Sequence, residues 1–387
     1  MKKTIKLLSF AFFAAAILMS CEGPEGPAGT DGTDGIDGVD GTLACLECHS
    51  ATVMDAIVDE FSLTKHATGS SWARGTSASC GRCHSHDAYV EFVRSGEEIA
   101  AAVSTPVECG TCHSDHQTLE GDVSAPIREI DGVVAMVNSI LTFDHGKGNI
   151  CATCHQSRRT GAEYDKYTAN TMVEVKLATA SADAYTEYKA ELDAGIINLG
   201  TNGSITYDNG VDSLFVEFDV TTDMVLVTST HAGPHHGPQA NTFAGITGYP
   251  TAGVEFDRAG HTDCVSCHLN DTTAASGFGH SFEPDVAQCD ACHGTAVDLE
   301  GIQADFQARI DPAVEELIAL HILGDGGTAT SNYTVADVHP MIQMMTRAQY
   351  QAFYNIMCIL EDKSLGIHNV DYTDQMLDLV ENSLGLK

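Results

Sequence analysis

The sequence predicts a mainly α fold with much irregular loop, a small antiparallel β insertion and a helical C-terminal region. Three observations predict it. Apolar residues keep helical spacing at Val53, Ile57, Val58 and Phe61, and again at Leu299, Ile302, Phe306 and Ile310. Between these lie alternating runs at 205–207 and 214–220 around Asn209-Gly210, followed by 224–228, which is a hairpin signature. The third observation is that twelve of the fourteen cysteines fall in six copies of Cys-x-x-Cys-His. Four copies crowd into residues 45–155, a spacing that favours short helices and loops and leaves little room for sheet.

Charge narrows the function classes. The chain has 19 Lys+Arg against 54 Asp+Glu, a net charge of −35. Nucleic-acid binding needs clustered cations to neutralise phosphates, so no nucleic-acid partner is expected. Anionic lipid would repel such a chain unless it were covalently anchored.

The N-terminus supplies a candidate anchor. Lys2, Lys3 and Lys6 precede an apolar run at 7–19, broken only by Ser9 and too short to span a bilayer. Residues 1–20 therefore read as an export signal. They end in Leu18-Met19-Ser20-Cys21, which resembles a bacterial lipobox and implies lipidation at Cys21. Removing the signal takes away three lysines and no acid, and leaves a net charge of −38. Glycine recurs every third residue from Gly23 to Gly41, with Pro24 and Pro27. Those few triplets are too short for a stable triple helix, so residues 21–42 read as a flexible collagen-like spacer.

The six motifs are Cys45/Cys48/His49, Cys80/Cys83/His84, Cys109/Cys112/His113, Cys151/Cys154/His155, Cys264/Cys267/His268 and Cys289/Cys292/His293. Two thiols three residues apart on a turn can each add to one vinyl group of a haem, and the next histidine then reaches the iron. Zinc sites and redox dithiols also use Cys-x-x-Cys, but neither needs a histidine immediately afterwards. Histidine is 18 of 387 residues. Six coincidences at that frequency would be on the order of 10⁻⁸. With these motifs over residues 45–293 the chain resembles the multihaem c-type cytochromes of the cytochrome c-552/4-like class, specifically a hexahaem member. The resemblance implies six haem c groups, with the mainly α fold and irregular loops arranged around covalent haems. Twelve cysteines in thioethers and an acylated Cys21 would leave Cys358 alone, so no disulfide is expected.

Each iron needs a second axial ligand, and twelve histidines lie outside the motifs. The leading distal candidates are His66, His116, His231, His235, His261 and His280. His66 ends the first amphipathic stretch. His116 stands in Cys-His-Ser-Asp-His, where it reaches a neighbouring haem more easily than its own. His261 precedes Cys264 by three residues, and His280 lies in Gly-His-Ser-Phe between the last two motifs. His231 and His235 sit on a Gly/Pro loop, Thr-His-Ala-Gly-Pro-His-His-Gly-Pro, also similar to large multihaem cytochromes. His86, His145 and His236 are reserves, and His321, His339 and His368 read as structural. Methionine is the other ligand option, but Met344, Met345, Met357 and Met376 read as packing on helical apolar faces. Arg158 and Arg159 follow the fourth motif and could meet haem propionates.

These readings divide the chain into the signal peptide (1–20), the spacer (21–42), a tetrahaem region (43–160) and a mixed helix and β-hairpin insertion (161–230). A dihaem region (231–296) and a helical region (297–387) follow. Residues 164–192 read as partly helical, with 168–175 open to extension. Asp311-Pro312 reads as an N-cap with proline at the first helical position, Thr346-x-x-Gln349 as a capping box, and Thr373 as the start of a last helix. Cys358 reads as a buried, inert thiol. The run 361–369 resembles the helical tail of some large multihaem cytochromes, including ammonia-forming nitrite reductases.

The expected function is electron transfer in the bacterial envelope through mostly bis-histidine haems, with a redox partner presenting a basic docking surface. One alternative is an oxidoreductase acting on a small nitrogen or sulfur oxyanion at an open haem. It would lack the lysine variant of the motif, because all six copies end in histidine. The other is a filament-forming cytochrome.

Overall fold

The computed structural model describes residues 49–114, 127–128, 130–164, 167, 169–177, 182–249, 264–269, 279–284, 286, 289–290, 293–294, 297–324 and 338–387. The signal, Cys21 and the spacer lie outside the described residues. Among the described residues no helix is long and apolar enough to cross a membrane.

The described chain begins with short helices, of which the third and fifth hold motif residues. They are α1 (Ala51–Ser62), α2 (Lys65–Thr68), α3 (Ala78–His84), α4 (His86–Ser95) and α5 (Cys109–Cys112). A hairpin of β1 (Val133–Ala135) and β2 (Asn138–Phe143) precedes α6 (Asn149–Cys154). This short hairpin is in keeping with little regular sheet among the first four motifs. It forms because Val133, Ala135 and Phe143 bury one face against Ala152 of α6 and Ala240.

The central insertion is β3 (Thr171–Leu177), α7 (Ala182–Asp193), β4 (Ser204–Asp208) and β5 (Ser213–Val220), with sheet order β3-β5-β4. Leu214, Val216, Phe218 and Val220 are buried at every second position of β5, as the alternation requires. The β4–β5 register pairs Asp208 with Ser213, so Asn209-Gly210 opens a four-residue loop. The Asp208 carboxylate accepts from the Gly210 N–H at 2.9 Å. The next strand, β6 (Met224–Val227), leaves this sheet for a partner far along the chain.

Beyond α8 (Gln239–Phe243) and α9 (Val265–His268), the C-terminal region is α10 (Leu299–Ala319), β7 (Leu323–Gly324), β8 (His339–Pro340), β9 (Gln343–Thr346), α11 (Arg347–Asp362) and α12 (Val370–Leu384). β6 pairs antiparallel with β9. Met344 and Met345 are therefore strand residues rather than helical ones, although both are buried as packing residues.

Two helix starts also differ from expectation. α10 runs unbroken through Asp311-Pro312, with Pro312 inside it. Phe306 and Ile310 before the proline, and Ala313, Val314 and Leu317 after it, bury in one core, which outweighs the lost N–H. Replacing Pro312 by alanine is expected to raise stability by about 1–3 kcal/mol, read as a higher urea midpoint. Similarly, α12 starts at Val370 because Asn369, not Thr373, caps it, accepting from the Tyr372 N–H at 3.2 Å. The Thr346 capping box forms as expected, its hydroxyl accepting from the Gln349 N–H at 3.2 Å.

α11 is the spine of this region. Tyr350, Phe353, Tyr354 and Cys358 are at most 1% exposed. Tyr354 donates its hydroxyl to the Arg159 carbonyl at 2.8 Å, and Tyr350 donates to that of Gly161. Asn355 accepts from the Tyr249 N–H and donates to its carbonyl, both at 2.7 Å. These bonds lock α11 to the chain just after the fourth motif and to the end of the histidine loop. Burial pushes the Cys358 thiol up to about 12, as an inert packing role requires.

Candidate haem sites

Each described motif closes on a short turn that leaves its histidine at or beside the helix end. His84 is the last residue of α3, and His113 and His155 are the C-cap residues of α5 and α6. α5 is held by a Glu108–Thr111 capping box. In the first motif Cys45 and Cys48 lie outside the described residues, and in the sixth Cys292 does. The described cysteines form no disulfide.

The motif residues are not equally enclosed by the chain. Cys109 and Cys267 are exposed, whereas the other described motif cysteines are half-buried. For Cys267 the cause is helical period. α9 is a single turn, so Cys264 and His268, four residues apart, share the face toward Cys151 and Phe282, while Ser266 and Cys267 turn outward. The motif histidines at the two ends of the series, His49 and His293, are exposed as well. Neither lies in a core cluster, because the apolar residues gather at the β insertion, the β1–β2 hairpin and the C-terminal helices.

Four motif histidines face a second histidine. Ring centroids are 5.9 Å apart for His155 and His66, 6.4 Å for His84 and His235, 6.3 Å for His113 and His280, and 6.1 Å for His268 and His368. Burial lowers the pKa of seven of these eight rings below the usual histidine value, bringing His66 and His235 to about 4. For His66 the neighbouring His155 adds to burial, and for His235 the charges of Arg158 and His236 do. At neutral pH these imidazoles are uncharged and keep a lone pair, which is the metal-binding form.

The motifs also touch one another. Cys83 and Cys154 share a side-chain hydrogen bond that lowers the first thiol and raises the second. Their segments are further joined by Cys154 Sγ, 3.6 Å from the Arg82 carbonyl, and Cys83 Sγ, 3.8 Å from that of Thr153. Cys151 is bonded likewise to Cys264 of the fifth motif. Phe282 adds a second link, because its ring meets His66 at 4.8 Å while its carbonyl accepts from His268 Nδ1 at 2.8 Å. A cavity of about 430 Å³ lies against the third motif, lined by Phe61, Ala67, Pro106, Val107, Glu108, Cys109 and Gly110.

Of the leading distal candidates, His66, His235 and His280 thus stand opposite motif histidines, whereas His116 and His261 lie outside the described residues. His231 is exposed, with Nδ1 3.3 Å from the Thr230 hydroxyl and its carbonyl accepting from Arg159. Among the reserves, His86 Nδ1 meets the Thr111 hydroxyl at 2.8 Å, and His145 packs between Phe143 and Phe243. His236 Nδ1 lies 2.8 and 2.9 Å from the two Glu361 carboxylate oxygens, a bond that raises its pKa.

His368, which reads as structural from sequence, is the residue that sequence reasoning missed. It reaches His268 because α11 ends at Asp362 and the chain doubles back through Ser364 before α12. The signal that could have found it is the 361–369 run, whose likeness to other multihaem tails includes this histidine. Arg158, for its part, bonds to Cys80 and acts electrostatically on His84 and His235. Among the described residues, no group of three or more His, Cys, Asp or Glu side chains is arranged to hold a bare metal ion.

Residues 34–114 match the model of cytochrome c7 and related cytochrome c, and that segment holds the first three motifs. No curated protein matches the chain. Among solved structures, the outer cell wall cytochrome OcwA is 19% identical with a TM-score of 0.45, over 85% of this chain and 50% of that one. The undecahaem cytochrome from the S-layer of Carboxydothermus ferrireducens is 17% identical with a TM-score of 0.41, over 83% of this chain and 40% of that one. The chain thus spans half or less of the length of either structure. With three Cys-x-x-Cys-His motifs inside one matched segment, residues 34–114 are similar to cytochrome c7 and related cytochrome c.

Proposed function

We propose that the chain carries electrons in the bacterial cell envelope through six haem c groups, one at each Cys-x-x-Cys-His motif, and is tethered by lipid on Cys21. The observation that carries this reading is the set of four facing histidine pairs. A metal–imidazole bond is about 2.0–2.1 Å and the ring centroid lies about 1.1 Å further, so two imidazoles on opposite sides of one metal have centroids about 6 Å apart. The four separations of 5.9–6.4 Å fit that arrangement.

Bound haem supplies an iron that takes up and releases one electron, with its potential set by ligands, burial and nearby charge. The residues do the rest. At each of the four pairs, two histidines would hold one iron between them and leave no position for a substrate. The Cys83–Cys154 and Cys151–Cys264 contacts place the second and fifth motifs beside the fourth, so groups held there would be neighbours. His116, His231 and His261 are the candidates for the first and sixth centres, whose motif histidines His49 and His293 are exposed. Those two exposed ends suit the entry and exit of electrons. The net charge of −35 suits a redox partner with a basic face, and association should weaken with salt.

Low-temperature EPR of the purified oxidised protein, calibrated to a haem count, tests the reading. Only low-spin ferric signals, accounting for six haems, are expected. One haem's worth of high-spin signal that shifts on adding nitrite or hydroxylamine would overturn it in favour of an oxidoreductase with an open iron.

A further inference from the structure

The facing pairs differ in what holds their second ring nitrogen. His155 Nδ1 meets the Gln239 side-chain oxygen at 3.0 Å, and His268 Nδ1 donates to the Phe282 carbonyl. Both partners are neutral. His368 Nδ1 instead meets Asp362 Oδ1 at 2.8 Å. Asp362 is 3% exposed, and the Ser364 hydroxyl donates to its other oxygen. An ionised carboxylate only accepts, so the proton sits on Nδ1 and the lone pair on Nε2. The His84–His235 pair has the opposite surroundings, because the charges of Arg74 and Arg158 act on His84 and that of Arg158 on His235.

A carboxylate behind a ligating histidine makes the imidazole a stronger electron donor, and it also places negative charge near the metal. Reduction adds one electron and no positive charge, so both effects oppose it. Arginines beside a centre favour its reduction. We propose that Asp362 is a positioning residue that, through His368, lowers the reduction potential of the centre held by His268 and His368 below that of the centre held by His84 and His235. This rests on the ligand pairing proposed above. An electron on the fifth centre is then favoured to pass to the second, by way of the fourth motif, which contacts both.

The test is a spectroelectrochemical titration of the holoprotein with parallel low-spin EPR. Asp362→Asn is expected to move one transition, at the low end of the range, to higher potential and to shift one set of low-spin g-values. Asp362→Glu, which keeps the charge, should restore most of that change. Arg158→Gln should leave the same transition in place and lower a different one. If Asp362→Asn fails to assemble, Ser364→Ala reads the same effect with opposite sign. It removes a donor from the carboxylate, concentrates charge on His368 and should lower that transition further. Unmoved potentials in a variant with its full haem count would overturn the proposal. His368→Ala separates the two possible failures. If it yields one high-spin haem while the Asp362 and Ser364 variants shift nothing, the pairing stands and the tuning role falls. If it leaves every haem low-spin, the pairing itself falls.

Discussion

Alanine at both Cys151 and Cys154 is expected to cost the holoprotein one haem and at least about 3 kcal/mol of stability, the scale of losing a covalent staple. The fourth motif is where the second and fifth meet. Ala152 and Thr153 are at most 1% exposed, Cys154 lies against Arg82 and Cys83, Cys151 bonds to Cys264, and His155 faces His66. A gap there removes packing from two neighbouring motifs at once. The same change at Cys109 and Cys112 should also lose one haem but lower the melting temperature less, because Cys109 is exposed. Haem quantification and thermal unfolding of the two variants check this. Equal destabilisation would show that the fourth motif holds no special place.

Phe353→Ala is expected to destabilise the protein by about 3–5 kcal/mol, the range for emptying a large aromatic site in a tight core. Phe353 is 0% exposed on α11, among Val314, Leu317, Met376 and Leu377 of a shared cluster. Its neighbours cannot collapse into the space without breaking the Tyr350 and Tyr354 bonds to the chain after the fourth motif. The effect should therefore reach the haem region, and denaturant unfolding followed at haem and at tyrosine should give one shared, lowered midpoint. A loss under about 1 kcal/mol would mean that this face is not the core.

Several expectations could be drawn from the chain because short-range chemistry dictates them. The alternation of β5, the capping box at Thr346 and the helical spacing of Phe306 and Ile310 depend on neighbours within a few residues. Local signals misled where tertiary packing outweighed them. Asp311-Pro312 looked like a helix start, but apolar residues on both sides of it belong to one core. Met344 and Met345 looked helical, but β6 recruits them as a strand across more than a hundred residues. Identical motifs also hid unequal surroundings: His155 is enclosed and His293 exposed, because enclosure depends on what packs over a motif and not on the motif.

The sequence by itself determined the chemistry. Six Cys-x-x-Cys-His motifs imply haem, and a net charge of −35 is the ground for expecting a basic partner and no nucleic acid. It could not say which histidine meets which motif, because axial pairing depends on distance in space rather than along the chain. Only the tertiary structure brought His368 to His268 and left His231 exposed beside Thr230. It also placed Asp362 behind His368 and made the fourth motif the meeting point of the second and fifth. The physical reason is that α11 and α12 carry residues from the far end of the chain back onto the motifs, a packing decision that no local pattern encodes.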